Sequence, residues 1–442
     1  MLTTFFTRRR LGLLLMVAIL LGVMSGARGL SITSAQSGPT DGIVCTTGPS
    51  FNLTTRTGTI GTPDGNVVYM WGYSSGNNAF QHPGPVLCVN EGDTVTLILH
   101  NTLPYDVSIT FPGQENVLAD GQPAQPQFSG GVMTSLTNVA AANGGSVTYS
   151  FVAARPGTFL YQSGTNPAIQ VRMGLFGALI VRPAAGQYFA YNDDSPTAPD
   201  SEFNHALEGE VMILQSEVDP VLSQAVEQAV NAGGAPINFN LNNYHPRYWL
   251  VNGRGFPDTI APNFASWLPS QPYGALAHVQ PQDASNPLPY LERFLNVSSQ
   301  PLPFHPHGKN GVVIGQDAQP LRDAAGDDVS YERFALVAAP GQTYDTLFHW
   351  ANREGYDETT NPVSVVDPGW QNLQYGMYYS GSPYLGSMGA MPPGMSSLSE
   401  CGEFYIIAHN HALFQLTSWG VPMTGPGTFM RVDPPGGCPA MP

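Results

Sequence analysis

The stretch that decides the fold is PGPVLCVNEGDTVTLILHNTLP, Pro83 to Pro104. Val86 to Val89 and Val95 to Leu99 alternate or concentrate apolar, β-branched residues over four to five positions. Glu91-Gly92-Asp93 supplies the turn between them, and Pro83-Gly84 punctuates the entry. Short apolar runs bounded by such residues read as strands joined by tight turns.

Outward from this pair the same texture continues. Strands are expected at Val67 to Met70, Ser146 to Phe151, Gly157 to Tyr161 and Leu175 to Val181, which together make one Greek-key sandwich over about residues 40–185. The polar Tyr191 to Ser201 stretch falls in an interdomain linker, 186–207. A second round of strands begins at Gly209 to Gln215 and fills 208–432, before a tail over 433–442. Helical spacing in Pro220 to Asn231 predicts one short surface helix, while Asp323 to Asp328 and Gly381 to Ser399 read as loops. Gly157-Thr158-Phe159-Leu160-Tyr161 is weakly echoed by Gly402-Glu403-Phe404-Tyr405-Ile406, as a duplicated sandwich would require. The expected class is all-β, with two Greek-key β-sandwich domains.

Composition agrees with that class. Charged residues make up only 11% of the chain, and 49 glycines with 40 prolines provide many turns. Arg8, Arg9 and Arg10 precede an apolar stretch from Leu11 to Met24 and the small residues Ser25, Gly26 and Ala27, the pattern of a secretory signal over residues 1–35. Thr7-Arg8-Arg9-Arg10-Leu11 partly fits the twin-arginine variant. The expected location is outside the cytoplasm (periplasm, cell surface or medium), and no later segment suits a membrane helix. The formal charge is −16. Loss of Arg8, Arg9, Arg10 and Arg28 with the signal would take it to −20, so nucleic acid is not an expected partner. Cys45, Cys88, Cys401 and Cys438 suit two disulfides in an oxidising compartment, Cys45 with Cys88 and Cys401 with Cys438, with metal thiolates as the other reading. Asn52 and Asn296 head sequons.

Several phrases in order resemble the multicopper oxidases. They are Pro83 to Pro104, GTFLYQSG...GLFGALIVRP (Gly157 to Pro183), RYWLVNGRGFPDTI (Arg247 to Ile260), LERFLNVSSQPLPFHPHGK (Leu291 to Lys309) and FYIIAHNHALFQLTSWGVPM (Phe404 to Met423). The resemblance implies that both sandwiches are cupredoxin-like, with a blue copper held by a cysteine and two histidines, which passes electrons to three coppers held by four His-x-His pairs. The family's first-domain pairs fall on Thr110-Phe111-Pro112-Gly113 and Gln162-Ser163-Gly164. Its blue-copper histidines fall on Leu302 and Gln415, and its cysteine on Asn410. None of these side chains replaces an imidazole or a thiolate. No copy of the first domain offers the missing histidines, so self-association would not restore them.

Half of the cluster's ligands remain. Residues i and i+2 of an extended segment point to one side, so His305 with His307 and His409 with His411 each form a two-imidazole pincer. Four converging imidazoles would hold one copper ion, two at most, with zinc as the alternative. The opposing reading makes them relics that hydrogen-bond to backbone or water. Lys309, the sole lysine, stands where the family has another histidine and would repel a cation if turned inward. Met377, Met388, Met391 and Met395 lie in a Gly/Pro/Ser-rich stretch, where thioethers either pack or bind Cu(I). The other six histidines, His82, His100, His205, His245, His278 and His349, show no ligand spacing.

Three functions follow as expectations. One is an exported binding or structural protein that keeps the scaffold and one metal ion; another is a copper-dependent oxidoreductase with a reduced copper set; the third is a copper-handling protein. Catalytic residues and cofactor-binding residues other than the metal ligands are not assigned. A homo-oligomer is the expected assembly.

Overall fold

A computed structural model describes residues 41–192, 200–206, 208–282, 286–351 and 404–433. The signal segment, Cys401, Cys438, the Gly381 to Ser399 stretch and all four methionines singled out above lie outside the described residues.

Each strand expected around Pro83 to Pro104 forms, with Val86–Asn90 and Thr94–His100 on either side of the Glu91-Gly92-Asp93 turn. They do not pair with each other. Val86–Asn90 enters a four-stranded sheet, in the order Cys45–Thr47, Val86–Asn90, Phe176–Arg182, Gly157–Gln162. Thr94–His100 enters a six-stranded sheet between Ser50–Gly61 and Ser146–Val152. Two strands adjacent in sequence but in different sheets make a sandwich corner, and apolar side chains from both sheets fill the space between. Leu53, Trp71, Leu97, Leu99, Tyr149, Phe159 and Leu179 all lie in that core. The longest strand of the sheet, Ser50–Gly61, has no clear period in its sequence (SFNLTTRTGTIG) and was not expected. The disulfide Cys45–Cys88 closes a 43-residue separation and ties the edge strand Cys45–Thr47 to its parallel neighbour.

A second pair of sheets carries the rest of the described chain. A nine-stranded sheet is built around Glu210–Val218, Tyr290–Asn296 and Thr343–Phe348. A five-stranded sheet runs in the order Ala277–Val279, Gly427–Val432, Phe404–Asn410, Leu302–Pro306, Leu336–Ala338. The helix Pro220–Asn231 forms where its spacing put it, with Asp219 accepting a hydrogen bond from the Val221 amide at 2.9 Å as N-cap and Pro220 at N1. It is less a surface helix than expected, because Leu222 and Val226 are buried in the core of the first sandwich. Asn296 is buried and its side chain bonds the Gln300 and Ala338 carbonyls, so that sequon sits inside the folded protein, whereas Asn52 is exposed.

The two sandwiches are fused through a shared layer. Glu210–Val218 is buried along its whole length because Val211 and Ile213 face the second core while Met212 and Leu214 face Val86, Phe176 and Ile180 of the first sandwich. Each such side chain, once buried, contributes about 1.5–3 kcal/mol. Beside this apolar layer runs a buried polar cluster. Arg293 donates from Nε to Glu210 at 2.7 Å and from Nη1 to Thr158 Oγ1 at 3.0 Å. Asp345 accepts from Thr158 Oγ1 and from the Tyr191 hydroxyl, both at 2.6 Å. Burial alone would raise the Glu210 carboxyl, but Arg182 and Arg293 hold it down at about 2. Gly157, at φ +131, precedes Thr158, and a Cβ there would come within 2.9 Å of the Ala318 backbone. Only a glycine lets this strand start so close to the second sandwich.

Loss of one partner from this cluster leaves buried charges uncompensated. Arg293→Met is expected to cost about 3–5 kcal/mol in urea denaturation, since Glu210 and Asp345 stay buried without it. A second test concerns His82, fully buried with neither ring nitrogen partnered among the described residues and packed edge-on against Phe176. Burial pushes it from 6.5 down to about 4, so the unfolded chain binds the extra proton between those values. Its contribution to stability is therefore present above pH 6.5 and is lost as pH falls toward 4, by about 3 kcal/mol. Chemical denaturation across pH 4–7 should show that slope shrinking in a His82→Phe variant.

Candidate metal centre

The second sandwich builds the site from two neighbouring strands. Leu302–Pro306 and Phe404–Asn410 pair antiparallel with His305 directly opposite His409. Alternation then puts His307 and His411 beside them on the same side. The ring centroids of His305 lie 4.7 Å from His307, 5.9 Å from His409 and 5.1 Å from His411. The His307 and His409 rings are 5.1 Å apart. All four histidines named from the sequence thus meet in one place, half-buried except for His411, which is exposed.

Hydrogen bonds fix which nitrogen of two rings is available. His409 donates from Nδ1 to the Asn410 carbonyl at 2.8 Å, and His305 donates from Nδ1 to the Phe334 carbonyl. A neutral imidazole that donates at Nδ1 carries its lone pair at Nε2, the arrangement that outer partners impose on metal-binding histidines. His307 Nε2 lies 3.1 Å from His409 Nε2. That is close to the spacing of about 3.3 Å for two nitrogens bound tetrahedrally to one ion at 2.0–2.1 Å. Burial lowers His307, and the His305, His409 and His411 imidazoles lower it further; burial and the neighbouring rings lower His409 too. Neutral rings are what a metal ion needs. As the side chains stand, no three His, Cys, Asp or Glu groups among the described residues surround a common point. The pincers meet, but a third ligand requires a ring rotation at His305 or His411, which hydrogen bonding and ring packing now hold elsewhere.

Beside the histidines, Asn410 and Gln415 belong to an amide chain. Asn410, fully buried, donates to Gln415 Oε1 at 2.7 Å and accepts from the Ala412 amide at 2.8 Å. Gln415 passes the chain on to Gln300 Oε1 at 3.0 Å. Leu302 is fully buried beside them on its strand. The first sandwich repeats the pairing with different chemistry: Thr110 and Gln162 form an antiparallel bridge with backbone bonds of 2.7 and 3.1 Å. Phe111 turns into the core against Phe151. Ser163 bonds Gln170 at 2.6 Å, and the Gly164 amide bonds Ser108 at 3.1 Å. Sequence reasoning missed Phe334, which covers His305 and His411 edge-on at 5.0 and 5.5 Å, and Gln300, which ends the amide chain. Neither carried a motif.

Residues 59–186 match the family described as multicopper oxidase. That part of the chain is similar to the multicopper oxidases. Among curated relatives, it is 30% identical to an L-ascorbate oxidase of Cucurbita maxima over 46% of this chain and 31% of that protein. It is 27% identical to Laccase-25 of Oryza sativa subsp. japonica over 60% of this chain and 38% of that one. The chain therefore spans about a third of the length of these relatives. Among solved structures, it superposes on the multicopper oxidase mgLAC with a TM-score of 0.53 at 21% identity, covering 87% of this chain and 86% of that one. A blue copper oxidase from Nitrosomonas europaea gives 0.52 at 17% identity, covering 87% and 85%. These likenesses place the fold among those of multicopper oxidases, with cupredoxin-like sandwiches.

The amide chain makes a direct prediction. Gln415→Leu leaves the buried Asn410 amide without its acceptor and should cost about 1–3 kcal/mol in thermal or chemical denaturation. The double change Asn410→Leu with Gln415→Leu should recover part of that loss, since no buried polar pair is then left half-made.

Proposed function

We propose that this multicopper oxidase homologue is an exported binding protein that holds one copper ion among His305, His307, His409 and His411, and that it lacks the blue-copper site and the first-domain half of the three-copper cluster. The reading places its two sandwiches at 40–185 and 208–432, on either side of 186–207. The observation that carries it is the pair of Nδ1 bonds from His305 and His409 to backbone carbonyls, which orient both Nε2 atoms as acceptors. The 3.1 Å approach of His307 to His409 supports it, because two ligand nitrogens are already at bridging distance. The match of residues 59–186 to the multicopper oxidase family favours copper over other ions, and imidazole suits copper.

The substitutions favour binding over turnover. Blue-copper electron entry depends on a Cu–thiolate bond and two imidazoles. Leu302, Asn410 and Gln415 offer neither, and the two amides are engaged with each other. Thr110 and Gln162 likewise spend their backbone groups on one another in the first sandwich. A bound ion would supply a Lewis-acidic, redox-capable centre. The protein's own part is to hold the rings neutral and oriented, with Phe334 covering one side.

Metal analysis of protein exposed to copper and then desalted should give one equivalent per chain, and His305→Ala or His409→Ala should abolish it. Loading should fall on acidification, as protons compete for the four rings. Absence of bound copper at neutral pH would overturn the binding role. An intense thiolate-to-copper band, or oxygen consumption with a phenol, would overturn the absence of an electron entry.

A further inference from the structure

The hairpin that follows the amide chain ends in a strained aromatic. Thr417–Ser418 and Val421–Pro422 pair antiparallel, which leaves Trp419 and Gly420 as a two-residue turn. Both have positive φ, at +48° and +85°. Asparagine or aspartate before glycine is the usual solution for such a turn. An indole there is sterically unfavourable, and such strain persists where the rest of the structure, or a ligand, repays it. Trp419 is 52% exposed, so core packing does not explain it.

The indole separates two grooves of about 390 and 420 Å³. The first is lined by Arg247, Trp249, Gln300, Phe414 and Trp419, and no carboxylate lines it. Arg247 is its one cationic side chain, beside the polar groups of His245, Thr417 and Gln300. The Arg247 guanidinium lies 5.7 Å from the Trp419 ring centre. Trp249 is 7% exposed, and its indole N–H has no acceptor among the described residues. Gln300 Oε1 already accepts from Gln415, so its amide N–H groups are what it offers a ligand. The second groove is lined by Val67, Val421 and Trp419, with Asp64, Asn66 and the Tyr248 hydroxyl grouped at one end. Asp64 accepts from Tyr248 at 3.0 Å and from Asn66 at 2.8 Å, and its carboxylate gives this groove acceptor character.

We propose that these two grooves bind an oligosaccharide that contains uronic acid, laid across Trp419. A pyranose ring presents a C–H face that packs on an indole, and its hydroxyls suit the Asp64–Asn66–Tyr248 group. A carboxylate on the neighbouring sugar accepts from the Arg247 guanidinium and the Gln300 amide in the groove that holds no carboxylate of its own among the described residues, and the charge-assisted bond to Arg247 is the stronger. Space on both sides of the indole demands a chain of rings rather than one. None of the four histidines lines either groove, and binding there does not depend on whether they hold copper.

Calorimetric titration of the full chain with oligogalacturonate of four to six units tests this. Binding is expected, about tenfold weaker in Trp419→Ala and weaker again in Trp419→Ala with Arg247→Gln. Trp267→Ala, which removes another exposed indole outside both grooves, should leave it unchanged. Neutral gluco-oligosaccharides should bind more weakly, and Arg247→Gln should narrow the difference. The proposal is overturned if oligogalacturonate does not bind at millimolar concentration, if neutral oligomers bind equally well, if a single-ring aromatic acid binds tighter than the oligomer, or if Trp267→Ala weakens binding as much as Trp419→Ala.

Discussion

Arg293 has to find two carboxylates, because a guanidinium removed from water is tolerated only when paired and hydrogen-bonded. It finds Glu210 on the next strand of its own sheet and Asp345 on the other side, with Thr158 of the first sandwich accepting from Arg293 and donating to Asp345. That requirement ties the sandwiches into a common structure. Neither can move without exposing an apolar layer and breaking a buried charge cluster at once. The same strand shows how alternation separates environments. Arg293 points toward the first sandwich, while Glu292 points into the second core, where burial pushes its carboxyl up to about 7 and Thr346 bonds it at 2.8 Å.

A rigid frame of this sort lets one backbone arrangement serve opposite chemical ends. Two facing segments close each sandwich, Thr110 with Gln162 in the first and His305 with His409 in the second. In the first, the side chains are short, apolar or amide, and they satisfy the backbone and the core. In the second, four imidazoles crowd together at a half-buried edge, where burial and the neighbouring rings lower the basicity of His307 and His409. A few angstroms away an amide relay runs from Asn410 through Gln415 to Gln300 and ends at the groove beside Trp419. The histidines and the groove are thus neighbours through one hydrogen-bonded chain.

Much of the fold was legible because sandwich strands are short, alternating and separated by strong turn residues. The pairs around Glu91-Gly92-Asp93, the capped helix Pro220–Asn231 and the closing strands Gly157–Gln162 and Phe176–Arg182 all announce themselves locally. Ser50–Gly61 does not, since its threonines and glycines take their burial from neighbouring strands and not from their own pattern. The helix was located correctly but its destination was not, because an apolar stripe says that a face is buried without saying where.

The sequence by itself determined the class of fold, the Cys45–Cys88 disulfide as a candidate pair, and the presence of two His-x-His pincers with no cysteine or histidine at Asn410, Leu302 and Gln415. Those depend on residue identity and period-two geometry, which are local. Only the tertiary structure decided that His305 stands opposite His409, that backbone carbonyls orient two of the imidazoles, that Asn410 and Gln415 join Gln300 in an amide relay, and that Trp419 stands between two grooves. The deciding contacts, His305 with His409, His305 with Phe334 and Gln415 with Gln300, join segments 29 to 115 residues apart. Strand register and sheet packing fix such distances, and no local pattern encodes them.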